Sequence, residues 1–523
     1  MPPISTAFSS DPQGRPRAST WSRTCRKSPR SRRTASMRLS LRRVVAVLAC
    51  AAMAATEPLE ARATDGRTDG RRLNVLLIIS DDLNTDMGCY GHREVKTPAL
   101  DRLCRAGVRF DAAFCQAPLC NPSRVSLLSG LRPDKTGVYT LFTPTRQRLG
   151  PSAVMLPGRF KQAGYFTVQV GKVFHTGEGF EDPQSWDVAH FEFGKSPAAS
   201  EVLRAGAPPG PTKHTIDWAV LKTPDEHTPD GIVARKAARY LEQAAAADKP
   251  FFAAVGFRRP HAPFAAPQKY FDMYPTDKTS LPAPVPPGYA DTLLPAALPY
   301  AWGPRPLTEG EQRQLRSAYF ACTTYMDAQV GVLLDALDRL GLWRNTVVAF
   351  LSDNGYHLGD HGGLWHKNSL FEESCRVPLV VYAPGAKGAG RGCARVVELL
   401  DLYPTLMDLC GLAPPHALDG RSLAPLLDDP DAPWRHAAYS VVARAADRTK
   451  NVEETEFLGR AVRTERWRYI EWDGGRQGVE LYDRQSDPAE LHNLGENGAH
   501  AEVRAELREL LSAHAGQAAP AGP

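Results

Sequence analysis

Two apolar, β-branched runs of the chain each end in a pair of side chains that carry oxygen atoms. The run at residues 73–80 is followed by Asp81 and Asp82, and a later run is followed by Asp353 and Asn354. Such runs are typical of strands buried on both faces in a parallel sheet. Carboxylate and amide oxygens are the ligands that Ca²⁺ and Mg²⁺ prefer. The two pairs could therefore hold one hard metal ion, although an acid pair after a strand could also cap the next helix.

Basic and imidazole side chains follow two further apolar runs. Lys172 and His175 come after the run at residues 165–170, His261 follows a third buried run, and Lys367 lies in a later loop rich in glycine and histidine. The carboxyl ends of parallel strands meet at one edge of a sheet, where open α/β folds place ligands. These residues indicate a metal-assisted hydrolase that acts on an anion. The lack of clustered histidines argues against zinc as its metal.

The sequence CNPSR at residues 120–124, followed by an apolar run, is another candidate for chemistry. A proline suits the first turn of a helix, because its missing N–H costs nothing there, so Cys120 is predicted at a helix N-terminus. Unpaired N–H groups and the helix dipole favour negative charge at that place. A buried structural cysteine would give the same local pattern, and the residues alone leave both interpretations open.

The motifs taken together resemble those of the type I sulfatases, which belong to the alkaline-phosphatase-like superfamily. In that family C-x-P-S-R is the signal for oxidising the cysteine, here Cys120, to formylglycine. The segments TPALDRL at 97–103, GKVFH at 171–175 and RPHAPF at 259–264 follow the same pattern, and the last two are similar to the iduronate-2-sulfatase branch. The resemblance extends over residues 73–494. It implies an α/β fold with a large, mainly parallel sheet sandwiched by helices, and a smaller C-terminal antiparallel sheet packed against a helix.

The resemblance also implies a set of metal ligands. By this resemblance Asp81, Asp82, Asp353 and Asn354 bind one Ca²⁺ ion together with the modified Cys120. One position departs from the branch, because animal iduronate sulfatases have His where this chain has Asn354. Asparagine is usual at this place in other sulfatases, so the departure leaves the metal site intact and weakens the assignment of the substrate.

A mechanism follows from the resemblance and from charge. Hydrated formylglycine is a diol, and one of its hydroxyl groups attacks sulfur beside the metal. Lys172 and Lys367 neutralise the sulfate oxygens as charge develops, and Arg124 orients the diol. The leaving alcohol takes a proton from His261 or from water. His175 deprotonates the second hydroxyl, which expels sulfate.

The predicted function is that of an exported, calcium-dependent sulfatase acting on a uronate residue, similar to iduronate 2-sulfate, in a sulfated glycan. The open alternatives are a choline-sulfatase and a phosphoester or phosphonate monoester hydrolase on the same fold. A non-catalytic glycan-binding protein is disfavoured, because every position that the chemistry needs is occupied. The expected partners are a sulfated glycan or small sulfate ester and a formylglycine-generating enzyme, with no nucleic acid.

Charge and composition support export rather than nucleic-acid binding. The chain has 523 residues and a formal net charge of +5. Residues 1–43 carry eleven Lys and Arg against one Asp, whereas residues 44–523 have a net charge of −5. From Met37 a basic segment precedes a short apolar run, and ARA at 61–63 is a plausible cleavage site for a signal peptide. The apolar run is too short for a stable membrane span, and Met37 is a possible true start.

The sequence also predicts how the chain is divided. A basic leader with a signal peptide covers residues 1–63, a catalytic domain covers 64–432, and a C-terminal subdomain covers 433–523. Eight cysteines follow the leader without a C-x-x-C pair, and in an exported protein Cys393 with Cys410 is the pairing to test.

Periodicity places the main elements. Strands are predicted at 73–80, 165–170, 251–257, 346–352 and 377–382, with further short strands beyond residue 434. Helices are predicted at 97–107, 158–164, 232–247, 317–340, 398–410 and 502–514. Residues 200–230 and 281–310 are rich in proline and glycine and are predicted to be irregular surface loops.

Overall fold

The structure is a computed structural model. It describes residues 67–68, 71–191, 199–208, 216–299, 306–445 and 455–515. The predicted leader and signal peptide, with the cleavage site at 61–63, lie outside the described residues. Within the described part of the chain, we find no helix long and apolar enough to cross a membrane.

An eight-stranded sheet forms the centre of the fold. Seven of its strands run in one direction, and Arg376–Tyr382 runs antiparallel to both of its neighbours. The fold prediction, a large and mainly parallel sheet, is confirmed. The order of the strands across the sheet is Gly392–Glu398, Val108–Phe114, Arg376–Tyr382, Thr346–Ser352, Asn74–Asp81, Phe251–Pro260, Phe166–Gly171 and Val188–His190.

Helices cover both faces of this sheet, and the strand Asn74–Asp81 is accordingly apolar on both of its faces. Val75 and Ile79 pack into the apolar core on one face, whereas Leu76 and Ile78 pack into the core on the other face. Since successive side chains of a strand point to opposite faces, a strand covered on both sides needs a continuous apolar sequence. The longer helices are Pro98–Ala106, Cys120–Ser129, Leu156–Gln162, Pro229–Ala246, Glu309–Arg339, Leu402–Leu409 and Ala501–Ala515.

Shorter elements connect these layers. The short helices are Pro133–Thr136, Thr145–Leu149, Gln268–Phe271, Asp360–Gly363, Glu372–Cys375 and Ala424–Asp428. The minor strands outside the two larger sheets are Arg67–Thr68, Arg71–Arg72, Val202–Gly206, Trp218–Leu221, Phe264–Pro267, His357–Gly359 and Leu364–His366.

A small antiparallel sheet and the last helix form the C-terminal part. Leu507 and Leu511 of the helix pack against Val462, Tyr469 and Leu481 of the sheet. This arrangement confirms the predicted antiparallel sheet with its helix, while the domain boundary at residues 432 and 433 stays a prediction. The four strands are Ala438–Arg444, Phe457–Arg463, Trp467–Trp472 and Val479–Asp483.

Two predictions of secondary structure were wrong. Residues 200–230 contain the strands Val202–Gly206 and Trp218–Leu221, which form a three-stranded sheet with Phe264–Pro267. These strands are four or five residues long, which is too short for a clear alternation of apolar and polar residues. They are stabilised by partners distant in sequence. The helix predicted at 398–410 begins only at Leu402, because the preceding residues complete a strand and a single 3₁₀ turn.

The suggested disulfide is not formed in the structure. Cys393 and Cys410 are both free thiols, as are the other cysteines of the described residues. The Cys393 thiol donates a hydrogen bond to the carbonyl oxygen of Pro430 at 3.2 Å. Both side chains lie in the apolar core, where a free cysteine packs as a small hydrophobic residue.

Candidate active site

Four adjacent parallel strands deliver the predicted site residues to one edge of the central sheet. Asp81 ends its strand, and Lys172, His261 and Asp353 each follow directly after the last residue of theirs. The close approach at Lys172 depends on glycine. Gly171 has a φ of 80°, and a Cβ atom there would lie 2.2 Å from the carbonyl oxygen of the adjacent strand.

The carboxylates of Asp81, Asp82 and Asp353 form a buried oxygen cluster. One oxygen of each lies within 4.8 Å of those of the other two. The Asp82 backbone N–H donates to Asp353 Oδ1 at 3.2 Å, and Asn354 Nδ2 donates to Asp82 Oδ1 at 2.9 Å. The Oδ1 atom of Asn354 is buried without a hydrogen-bond partner in the described structure. Three carboxylates and a free amide oxygen fit a hard divalent cation.

Arg124 holds two of these carboxylates in place. It is fully buried, and its guanidinium lies 2.7 Å from Asp353 and 3.2 Å from Asp81. Burial alone would raise the pKa of Asp81, but Lys172, His261 and Arg124 together hold it well below its usual range. Burial raises the pKa of Asp353 to about 6, although Arg124 opposes the shift. Three carboxylates held this close together in a buried place are a setting that favours a metal cation.

Cys120 lies at the first position of the helix Cys120–Ser129, as predicted, and is buried beside the oxygen cluster. Its Sγ atom lies 3.3 Å from Asp81 Oδ1 and 2.8 Å from Lys367 Nζ. Burial and the charge of Asp81 raise the pKa of the Cys120 thiol above its usual value. An unmodified thiol here would be a poor nucleophile, because the thiolate is the reactive form.

The start of this helix is fixed by hydrogen bonds to neighbouring loops. The Ser123 hydroxyl donates to the carbonyl oxygen of Asp353 at 2.5 Å. The Asn121 side chain donates to the carbonyl oxygens of Thr140 and Thr143, both at 2.9 Å. Each residue of the CNPSR segment is buried, so the motif is held in one position by contacts on all sides.

Two lysines bring positive charge to the same place. Lys172 pairs with Asp81, and Lys367 pairs with Asp82 and contacts Cys120. Both lysine side chains are almost completely buried. Burial alone would lower the pKa of Lys367, but Asp82 and the neighbouring acids raise it well above its usual value. The Lys367 ammonium group therefore stays charged and can receive an anion.

The two predicted histidines lie at the rim. His261 Nε2 lies 3.8 Å from Asp82 Oδ2, and its Nδ1 lies 2.6 Å from the carbonyl oxygen of Ala262. Burial lowers the pKa of His261 to about 4. His175 packs edge-on against Phe180 at 5.3 Å, and burial together with Lys172 lowers its pKa to about 3. Both imidazoles are therefore neutral at pH 7.

Asp230 is a supporting residue that the sequence analysis did not identify. Its carboxylate accepts hydrogen bonds from the backbone N–H groups of Arg258 and Arg259, at 3.0 Å and 2.9 Å. It thereby fixes the segment that leads to His261. In the sequence it appears only as an acid after Pro229 in the first turn of a helix, so only a predicted contact between that helix and the strand could have revealed its role.

All ten predicted site residues thus lie at or beside one buried cluster. The sequence profile of the sulfatase family matches residues 73–412. The chain belongs to the sulfatase family. A second profile, described as the C-terminal part of N-sulphoglucosamine sulphohydrolase, matches residues 359–517 of the sulfatase.

Three known proteins that are similar to the sulfatase differ in the activity that their names give. The iduronate 2-sulfatase of Mus musculus is 33% identical, with 85% of this chain and 95% of that protein covered. The choline-sulfatase of Rhizobium meliloti is 29% identical, with 84% and 86% covered. Among solved structures, the phosphonate monoester hydrolase of Agrobacterium radiobacter has a TM-score of 0.72 and 27% identity, with 86% of this chain and 96% of that one covered.

The family assignment establishes the reaction class. The protein is a sulfuric ester hydrolase, and its family generally carries a formylglycine and a divalent metal ion. The oxygen cluster and the buried cysteine beside it fit both groups. The individual roles of the site residues, the identity of the metal and the substrate remain predictions.

Proposed function

We propose that this sulfatase is an exported, calcium-dependent enzyme that hydrolyses the sulfate ester of a uronate residue in a sulfated glycan. Its nucleophile comes from Cys120 after conversion to formylglycine. The observation that carries the proposal is the position of Cys120 at a buried helix start, between three carboxylates and the ammonium group of Lys367. A free thiol has a raised pKa in this place, so the setting suits a modified residue better than a nucleophilic cysteine.

The oxygen cluster is the proposed calcium site. Asp81, Asp82, Asp353 and Asn354 would hold the ion, because hard cations prefer carboxylate and amide oxygens. When bound, the ion would polarise a sulfate oxygen and favour ionisation of a nearby hydroxyl. Arg124 orients Asp81 and Asp353 for this purpose by donating a hydrogen bond to one carboxylate oxygen of each.

Lys172 and Lys367 are proposed to bind the sulfate group. Formylglycine at position 120 supplies a hydroxyl nucleophile in its hydrated form. One ammonium group pairs with Asp81 and the other with Asp82. Because they are buried, their charges act in a poorly screened environment and stabilise negative charge on sulfate oxygens strongly.

The neutral histidines have different proposed roles. His175, with its pKa lowered to about 3 by burial and Lys172, is an unprotonated base that can accept a proton during sulfate release. In the tautomer that donates from Nδ1 to Ala262, His261 turns the lone pair of Nε2 towards the site. The leaving alcohol takes its proton from water or from protonated His261, and the neutral state of His261 favours water.

Arg258 supports a uronate as the substrate. Its side chain is partly buried and lies close enough to Asp81 and Asp82 to interact with their charges. Burial and the neighbouring Arg259 lower the pKa of Arg258. The positive charge of Arg258 is therefore destabilised, and a carboxylate on the substrate would stabilise it. The similarity to the iduronate 2-sulfatase of Mus musculus supports the same substrate, whereas Asn354 departs from that branch.

The test compares substrates on one enzyme preparation. The purified enzyme is offered aryl sulfate, aryl phosphate, an aryl phosphonate monoester, choline sulfate and a disaccharide that ends in a 2-sulfated iduronate. We expect sulfate release to dominate, with the highest kcat/KM for the disaccharide. Faster phosphate or phosphonate hydrolysis would refute the proposed reaction, and preference for choline sulfate would refute the proposed glycan substrate.

The cofactor and the export have separate tests. Intact mass spectrometry distinguishes the aldehyde of formylglycine from the CH₂SH group of cysteine, and we expect the aldehyde after expression with a formylglycine-generating enzyme. Full activity from a chain with an intact thiol at Cys120 would contradict the mechanism. Sequencing the N-terminus of protein recovered outside the cytoplasm should show cleavage near residue 63, whereas an intact leader on active enzyme would argue against export.

A further inference from the structure

A second group of metal-binding side chains lies apart from the oxygen cluster, in the segment that leads to Lys367. Single ligand atoms of His357, His361 and Glu373 lie within 4.8 Å of one another. Asp360 borders the same group, with its Oδ2 atom 3.8 Å from His357 Nδ1. None of these four residues is among the proposed calcium ligands.

The spacing of His357, His361 and Glu373 is close to that of ligands in a tetrahedral metal centre. His361 Nε2 lies 3.1 Å from Glu373 Oε2, and His357 Nδ1 lies 3.9 Å from the same oxygen. Zinc ligands at about 2.0 Å from the ion are separated from one another by roughly 3.3 Å in a tetrahedron. The observed separations lie on either side of that value, so small rotations of the side chains would bring them to one ion.

The other nitrogen of each histidine is already engaged. His357 Nε2 lies 2.7 Å from the Ser369 hydroxyl, and His361 Nδ1 lies 2.5 Å from the Tyr289 hydroxyl. The tautomer that donates to Ser369 leaves a lone pair on His357 Nδ1. His361 Nε2 donates to Glu373 in the structure, and a metal ion would take the place of that proton. Metal-binding histidines almost always have such a partner on the second nitrogen.

His357 provides a second and independent observation. Its side chain is fully buried, and its Nδ1 atom has no hydrogen-bond partner among the described residues. The nearest oxygens, on Asp360 and Glu373, are 3.8 Å and 3.9 Å away, which is too far for a hydrogen bond. A buried nitrogen without a partner is costly, and a shared metal ion would satisfy it.

The surroundings hold the histidines rigidly and leave a path for the ion. The His361 ring stacks on Phe371 with centroids 4.0 Å apart. The carboxylates of Asp360 and Glu373 are each about a quarter exposed, so an ion can enter from solvent on their side. This combination of fixed nitrogens and accessible oxygens is what a preorganised metal site requires.

We propose that His357 Nδ1, His361 Nε2, Glu373 and Asp360 bind a second metal ion, a divalent transition metal such as zinc. Two imidazoles with two carboxylates suit zinc better than calcium. The site joins the hairpin His357–Gly359 and Leu364–His366 to the short helix Glu372–Cys375. Since Lys367 directly follows this hairpin, the metal stabilises the loop that carries Lys367 to the sulfate-binding cluster.

The test uses the whole mature enzyme and zinc alone. The protein is stripped with EDTA, refilled with Ca²⁺ to occupy the oxygen cluster, mixed with zinc chloride and passed through gel filtration. We expect about one zinc ion per chain to remain, as measured by inductively coupled plasma mass spectrometry. Glu373→Gln and His361→Gln should each lower the retained zinc at least tenfold.

Matched variants locate the zinc. His492→Gln removes a histidine 3.5 Å from Asp487 on the C-terminal part, and it should retain zinc like the unaltered protein. Asp82→Asn disturbs the oxygen cluster, and it should retain zinc as well. Loss of zinc in Asp82→Asn but not in Glu373→Gln would place the ion in the oxygen cluster and overturn the proposal.

A cobalt spectrum gives a readout that does not depend on activity. Co²⁺ in place of zinc should show the visible absorption of a four-coordinate centre, and Glu373→Gln should abolish it. If His361→Gln does not fold, Glu373→Gln decides the matter, because it keeps the shape of a partly exposed side chain. Absence of zinc from the unaltered enzyme, or equal zinc in all variants, would show that His361 and Glu373 form only an ion pair.

Discussion

Arg124 Nε donates to Asp353 Oδ2 across 2.7 Å, and neither side chain is exposed to solvent. The same guanidinium donates to Asp81 and to the carbonyl oxygen of Val173, at 3.2 Å and 3.0 Å. One side chain thus ties the start of the Cys120 helix to three strand ends. Because a guanidinium is planar and always charged, it fixes the directions of both carboxylates at once.

Replacing Arg124 by Lys should therefore disturb the metal site, although the substitution keeps the positive charge. An ammonium group cannot make the same fork of hydrogen bonds. We expect the Ca²⁺ affinity to fall by about 10–100-fold and the free energy of unfolding to fall by about 3 kcal/mol. Calorimetric titration with Ca²⁺ and urea unfolding would measure the two effects.

Arg132 offers a matched control for that variant. It makes a buried, two-pronged ion pair with Glu398, at 2.7 Å and 2.5 Å, away from the oxygen cluster. Arg132→Lys should lower stability but leave Ca²⁺ affinity unchanged. If Arg124→Lys bound Ca²⁺ as tightly as Arg132→Lys does, Arg124 would have no part in positioning the metal ligands.

Removing the charge of Lys367 should slow the reaction strongly. Lys367→Met keeps most of the side-chain volume but loses an ammonium group that lies 2.8 Å from Cys120 Sγ. We expect kcat/KM for an aryl sulfate to fall by about 10²–10³-fold, with weaker inhibition by inorganic sulfate. Lys269→Met, which removes a largely exposed partner of Asp225, should change neither value; an equal loss there would point to a general effect of charge.

Calcium removal should abolish activity and lower stability together. The carboxylates of Asp81, Asp82 and Asp353 repel one another when the ion is absent. Calcium at one hundred times its dissociation constant adds about 2.7 kcal/mol to the free energy of unfolding. Activity and melting temperature measured after EGTA treatment should both recover with Ca²⁺. Recovery with zinc but not with Ca²⁺ would contradict the assignment of the oxygen cluster to calcium.

Arg258 is predicted to select a carboxylate on the substrate. Arg258→Gln should raise KM for a 2-sulfated uronate disaccharide about tenfold, because one hydrogen bond to a charged group is lost. An uncharged aryl sulfate should be cleaved as before. Arg239→Gln, an exposed position on the neighbouring helix, serves as the control. A parallel loss on both substrates would mean that Arg258 supports the site rather than recognising a uronate.

Glu372 is predicted to make stability depend on pH. It pairs with Arg468, with Arg463 at 3.4 Å and with Arg484 at 3.1 Å. Burial would raise the pKa of Glu372, but Arg463, Arg484 and Arg468 lower it well below its ordinary value of 4.5. A lowered pKa gives stability that is present above pH 4.5 and is lost as the pH falls through the folded-state value.

Glu372→Gln should therefore cost about 3 kcal/mol at pH 7, because it leaves buried guanidinium groups unpaired. The difference from the unaltered protein should shrink as the pH falls below 4.5, the ordinary pKa of Glu372. Urea unfolding at several pH values would follow it. Glu309→Gln, which breaks an exposed pair with Arg313 at 2.7 Å, should cost less than about 1 kcal/mol at any pH. A constant difference for Glu372→Gln would exclude a lowered pKa.

The sequence by itself determined the class of fold and predicted which residues would gather at one edge of the sheet. Strands buried on both faces must be continuously apolar, so the runs before Asp81 and Asp353 were visible without any structure. Polar residues that follow parallel strands must meet at one edge of the sheet. This rule predicted that Asp81, Lys172, His261 and Asp353 would come together, and the resemblance to the sulfatases added Cys120.

The tertiary structure decided what depends on contacts between distant segments. Short strands such as Val202–Gly206 exist only through their pairing partners, and the reversed direction of Arg376–Tyr382 leaves no mark in its composition. The thiols of Cys393 and Cys410 are free and packed in the apolar core, which their spacing in the sequence does not reveal. The meeting of His357 with Glu373 was likewise hidden, since fifteen intervening residues must fold back before an imidazole and a carboxylate can share an ion.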